Sequence, residues 1–152
     1  LAGGHTMDDD EPKLPDSLHG LIGMYAVLDE NKKVVPVGGA KQWGAFSQDA
    51  ANREVGFAEV GGMRVSTVFL GINHSFVPGN HLLGGPPLWF ETMIFGDPYD
   101  GLRQRYSTWE EADLNHKVIV LNLSKKRDPR CKKGFAELLT EEAQKQGEYD
   151  DG

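Results

Sequence analysis

Cysteine is almost absent from this chain. Cys131 is the only one in 152 residues, so no intrachain disulfide can form, and a reducing compartment fits. Long apolar runs are missing as well: no stretch approaches the roughly 18 residues that a membrane span needs, and the first residues lack the apolar core of a secretory signal. The expectation is a soluble protein with no membrane partner. Positive charge is scarce, with 16 Lys and Arg against 23 Asp and Glu and a formal net charge of −7. Direct nucleic-acid binding is therefore disfavoured, because attraction to phosphates draws on clustered cations. Catalytic signatures are wanting too. No serine lies in G-x-S-x-G. The pairs Gly38-Gly39, Gly61-Gly62 and Gly84-Gly85 match neither a Walker A loop nor a dinucleotide-binding fingerprint and read as turns.

What is present is punctuation and a few strong periodicities. With 19 glycines and 8 prolines beside 39% hydrophobic and 26% charged residues, the chain reads as turn-rich and globular, of a length that suits one domain. The expected fold class is α+β, with a small antiparallel sheet of about 3–5 strands packed against one main helix in the C-terminal half and one or two shorter helices. Residues 1–20 read as a flexible acidic arm or appended remnant. A single α+β domain is expected over 21–124, followed over 125–152 by a basic segment, a peripheral helix and an acidic tail.

Leu21 to Leu28 and Lys33 to Val37 form an expected hairpin about the turn Asp29-Glu30-Asn31-Lys32, with Pro36 confined to a sheet edge. Trp43, Phe46 and Ala50 recur at helical spacing and predict a short helix within Ala40 to Asn52. The strongest signal is Arg53 to Val60 and Met63 to Ile72 about Gly61-Gly62, a tight-hairpin connection. That register sets Glu59 opposite Arg64, Ala58 opposite Val65 and Val55 opposite Val68. Asn73 to Pro87 is a long loop, of the kind that often carries function. Leu88 to Phe95 then alternates as a strand, with Phe90, Thr92 and Ile94 on one face and Glu91, Met93 and Phe95 on the other. Asp97 to Gly101 is turn chemistry. Ser107 with Glu110, or Thr108 with Glu111, can cap a helix whose buried stripe is Trp109, Ala112, His116, Ile119, Val120 and Leu123. Lys125 to Lys133 reads as a solvated basic segment, and about Gly134 to Gln146 as a weaker helix at the periphery.

Three titratable residues invite comparison. His74, Glu91 and His116 could together suit zinc or ferrous iron, or His74 and Glu91 could act as a general acid and base. No H-x-x-x-H spacing ties any two together, and the preferred reading leaves His116 as a hydrogen-bonded core residue and pairs Glu91 with Arg103 or Arg105. No cofactor is expected. A second grouping is aromatic and basic: Trp43, Trp89, Tyr99, Tyr106 and Trp109 could line a pocket for a base or nucleotide, with Arg103 and Arg105 supplying phosphate contacts just before a helix N-terminus. The candidate ligand-binding residues are thus His74, Glu91, Arg103, Arg105, Tyr106 and Trp109.

Three blocks in order carry a resemblance: Arg64-Val65-Ser66-Thr67-Val68-Phe69-Leu70-Gly71-Ile72-Asn73-His74, then Pro87-Leu88-Trp89-Phe90-Glu91-Thr92-Met93-Ile94-Phe95-Gly96, then Arg105-Tyr106-Ser107-Thr108-Trp109-Glu110-Glu111-Ala112 with His116. Over about Asn52 to Val120 the chain resembles a family of small uncharacterised proteins encoded in tailed-bacteriophage and prophage genomes. Asn73 and Asn115 stand where that pattern has Asp and Gly, which weakens any acid/base scheme built on the first position. The resemblance implies action in the host-cell cytoplasm or in the virion and brings no catalytic residues. The leading expectation is an accessory protein acting by binding, either sequestering a small nucleotide-like ligand or inhibiting a host protein, for instance one of a defence system. The alternatives are a metal-dependent hydrolase or nucleotide-modifying enzyme using His74, Glu91 and His116, and a virion or assembly component. An open edge at Val34 to Val37 makes a homo-oligomer conceivable.

Overall fold

The computed structural model describes residues 24–74 and 86–150, and the architecture is α+β. The chain divides into two compact units, one of residues 1–53 and 70–89, the other of residues 54–69 and 90–152. The arm expected over 8–20 and most of the loop after Asn73 lie outside the described residues.

In the first unit, β1 (Tyr25–Leu28) and β2 (Val34–Val37) pair antiparallel, with Leu28 opposite Val34 and Tyr25 opposite Val37. Asp29 closes the turn by accepting from the backbone N–H groups of Asn31 and Lys33. The helix α1 (Ala40–Ser47) is shorter than its pattern predicts. Asp49 accepts from Ala51 N–H and starts a separate 3₁₀ turn over Ala50–Asn52, which ends the regular helix early. Trp43 donates from Nε1 to the Leu70 carbonyl at 2.8 Å, and its ring occupies the space beside Gly71. Gly71, at φ 70°, leaves no room for a Cβ, which would stand 2.5 Å from that indole.

The second unit is a four-stranded antiparallel sheet in the order β3-β4-β5-β6, with strands β3 (Glu54–Val60), β4 (Met63–Phe69), β5 (Phe90–Phe95) and β6 (Arg103–Tyr106). Gly61 and Gly62 both have positive φ, as a type I′ connection requires. Glu59 faces Arg64 and Ala58 faces Val65 as their spacing predicts, but Val68 faces Glu54 rather than Val55. A bulge between Glu54 and Gly56 takes up the extra residue. β6 is an addition to the expected layout: Arg103 to Tyr106 precedes a helix but pairs along β5, with Glu91 opposite Arg105 and Met93 opposite Arg103.

Helix α2 (Trp109–Ser124) begins at Thr108, whose hydroxyl accepts from Glu111 N–H, so Thr108 rather than Ser107 is the N-cap. It covers one sheet face, where Met63, Val65, Ile94, Ile119 and Leu123 form the core. Helix α3 (Lys133–Asp150) packs back on α2, and Gly134 is the crossing point: a Cβ there would stand 2.7 Å from Asn122 Oδ1 and 2.9 Å from Val118 Cγ1. This contact explains why Val118 and Asn122, outside the predicted stripe, are buried as well. Among the described residues no helix is long and apolar enough to cross a membrane.

Candidate functional site

Under α2 the sheet carries a row of polar side chains. Gly56, Thr67, Thr92 and Gln104 are cross-strand partners, so their side-chain positions share the inner face. His116 hangs from α2 onto this row, its ring filling the space above Gly56. Its Nδ1 lies 2.7 Å from Thr67 Oγ1, which lies 2.6 Å from Thr92 Oγ1. Thr92 also bonds the Tyr106 hydroxyl, which donates to Gln104 Oε1 at 3.0 Å. Either threonine hydroxyl can donate to the other, and the tautomer of His116 sets which atom donates between its Nδ1 and Thr67 Oγ1. Both ends are held neutral: burial lowers the His116 pKa and pushes that of Tyr106 up to about 12. A chain of satisfied neutral groups specifies the packing of helix on sheet.

The opposite face of the sheet is open. Its rows are Glu59-Arg64-Phe95, Phe57-Ser66-Met93-Arg103 and Glu54-Val68-Glu91-Arg105. Arg105 Nε holds the mostly buried Glu91 carboxylate at 3.0 Å. Arg64 lies over the Phe95 ring, 5.6 Å from its centre.

A cavity of about 400 Å³ opens at one end of this unit, between the β3–β4 connection, the turn after β5 and the end of α2. Val60, Met63, Pro98, Tyr99 and Leu123 give it apolar walls and a phenol ring; Lys126 and Arg127 bring cations. Arg127 is already engaged, bidentate on Glu137 at 2.6 and 2.8 Å and on Asn122 Oδ1 at 3.0 Å. Lys125 adds a third bond to Glu137, and these cations hold the Glu137 carboxyl down at about 2. Lys125 and Arg127 thus tie the segment to α3, while Lys125, Lys126, Arg130, Lys132 and Lys133 stay exposed, as expected of a solvated basic segment. Lys126 is exposed and is the cation left to the cavity mouth.

The residues singled out in the sequence do not meet in one place. His74 belongs to the first unit, where its N–H donates to the Leu88 carbonyl, whereas Glu91 and His116 belong to the second. Within that unit Glu91 and His116 lie on opposite faces of the sheet, because the inner face takes Thr92 and the outer takes Glu91. Among the described residues no three His, Cys, Asp or Glu side chains are placed to hold a metal ion. Arg103 and Arg105 lie beside Glu91 on the outer face. Tyr106 and Trp109 turn inward, Trp109 meeting Phe90 edge-on at 6.3 Å between ring centres. The pocket expected from five aromatic residues is thus divided, with Trp43 and Trp89 in the first unit and only Tyr99 on the cavity. Thr67 and Thr92 had a signal in the sequence, as hydroxyls in the inward phase of otherwise apolar strands. Lys126 and Arg127 had none beyond membership of a basic run. Comparison with protein-family models, curated proteins and solved structures returns no match.

Proposed function

We propose that this chain acts by binding rather than by catalysis, holding a small nucleotide-like ligand in the cavity at the end of the four-stranded sheet. The carrying observation is the combination of apolar walls and the Tyr99 ring with the Lys126 ammonium at the mouth, in a volume of about 400 Å³. A cavity of that size falls in the range of small-molecule sites, which are mostly apolar with a few polar groups. A base packs against Tyr99, Met63 and Leu123, and a phosphate lies at Lys126. The bacteriophage resemblance supplies the setting, an infected bacterial cell in which an accessory protein withdraws a nucleotide signal from the host.

Two measurements test this. Native mass spectrometry of the protein purified from bacterial cells should show a retained small molecule, and calorimetric titration with mono-, di- and cyclic nucleotides should yield a saturable isotherm. Tyr99→Ala should weaken it at least tenfold while the far-ultraviolet circular dichroism stays unchanged. No retained molecule and no heat with any nucleotide would overturn the reading.

A further inference from the structure

Glu137 of α3 is an anion held by a cation of the cavity wall. Arg127, which lines the cavity, grips its carboxylate in bidentate fashion at 2.6 and 2.8 Å, and Lys125 adds a third contact at 3.0 Å. The planar fork of Arg fits a phosphate in the same way that it fits a carboxylate. The charged residues lining the cavity are Lys126 and Arg127, with no carboxylate among them. An anion entering it therefore meets one open cation, Lys126, and one whose fork is filled by a side chain of α3. That helix is thinly packed. Over Lys133 to Lys145 only Gly134 is buried, and Leu139 to Lys145 are all exposed. Segments of this kind open at a lower free energy than the core of a sheet does.

We infer that Glu137 is a tethered placeholder in an anion site: a phosphate monoester bound in the cavity takes the Arg127 fork from Glu137 and loosens α3. The inference rests on the reading of the cavity as a nucleotide site and adds its regulation. By charge the phosphate is the stronger occupant, with about −1.5 to −2 at neutral pH and three acceptor oxygens against the single charge and two oxygens of a carboxylate. Glu137 has the advantage of its tether, which keeps its effective concentration high. Lys126 tips the exchange towards the ligand, because it stands at the cavity mouth outside the contacts that Lys125 and Arg127 make with Glu137. Two anions exclude each other at one fork, so the coupling between bound ligand and docked α3 is negative, and it is reciprocal.

The test uses the whole chain with AMP and adenosine, followed by calorimetric titration and hydrogen exchange. AMP should quicken exchange over Lys133 to Lys145 at least threefold, and adenosine, which has no phosphate, should leave it unchanged. Glu137→Gln removes the competitor and should bind AMP at least fivefold tighter than the wild type, with no change for adenosine; in that variant AMP should alter exchange in α3 no further. Glu141→Gln removes the same charge one turn farther along α3 and should stay within twofold of the wild type, which separates displacement at the fork from a general gain in positive charge. Binding of AMP by the Glu137 variant alone would support the inference, the placeholder then holding the site closed. If AMP binds the wild type but Glu137→Gln gains nothing, if both variants gain equally, or if AMP slows exchange in α3, the inference falls and the reading of the cavity stands. No binding of AMP by either the wild type or the Glu137 variant would overturn both.

Discussion

The ring of His116 occupies the space that a side chain at position 56 would need: a Cβ built on Gly56 would stand 2.7 Å from both Cδ2 and Nε2 of the imidazole. Gly56 lies just after the bulge in β3, so helix and sheet approach closely at the one residue able to allow it. Gly56→Ala should destabilise the protein by about 1–3 kcal/mol, the usual cost of overpacking. In a His116→Ala background the same change should cost much less, because the two positions share one volume. Urea midpoints of the four members of this cycle measure the coupling, and additive costs would show that the ring does not fill that space in solution.

Acid should loosen the same contact. Burial lowers the His116 pKa, with Lys117 also lowering it and Asp113 and Glu54 raising it. The unfolded chain therefore takes up this proton near pH 6.5 while the folded chain does not, so stability falls as pH drops below about 6.5. His116→Gln should flatten that part of the profile. Glu137, held at about 2 against an ordinary 4.5, contributes a separate loss at lower pH, as its carboxyl is protonated and Arg127 is released.

At the other end of the hydrogen-bonded row the sign reverses. Tyr106 is raised from 10.0 to about 12, so between those values the unfolded chain has lost its proton and the folded chain still holds it. Stability should decline across that window by roughly 2–3 kcal/mol, at about 1.4 kcal/mol per pH unit. Tyr106→Phe should lose this dependence and remove the hydrogen bond to Gln104 at neutral pH. Denaturant melts at pH 9, 10, 11 and 12 give the comparison.

Lys126 has a left-handed backbone, at φ 58°, just past the end of α2, a position that glycine fills without strain. Lys126→Gly should raise stability by about 0.5–1 kcal/mol. If the cavity takes an anion, the same variant should bind it less well. A residue that strains the fold and stands at the cavity mouth would then show opposite effects in thermal melts and ligand titrations.

Glu137→Gln should free α3 at its base without disturbing the sheet. Hydrogen exchange should quicken over Lys133 to Lys145, because Arg127 and Lys125 lose their shared carboxylate. Exchange in β4 and β5 should stay as it was.

Local pattern determined much of this protein. The Gly61-Gly62 turn, the two flanking strands, the alternation of Phe90, Thr92 and Ile94, and the capped start of α2 follow from period-2 spacing, positive-φ glycines and a side-chain acceptor placed before a helix. Even the pairing of Glu91 with a nearby Arg was within reach. What the sequence could not decide is which distant residues share a face. The one-residue bulge at Val55 moved the pairing at Val68 to Glu54, and the pairing of Arg103 to Tyr106 with β5 made a fourth strand of a segment too short and too polar to announce itself. That fourth strand sends Arg103 and Arg105 to the open face and Tyr106 to the core, splitting a cluster that had looked like one site. Residues 125–133 show the same limit. Their charge is plain in the sequence, but their work as a clamp depends on Glu137 arriving from α3, a contact that only tertiary packing through Gly134 brings about.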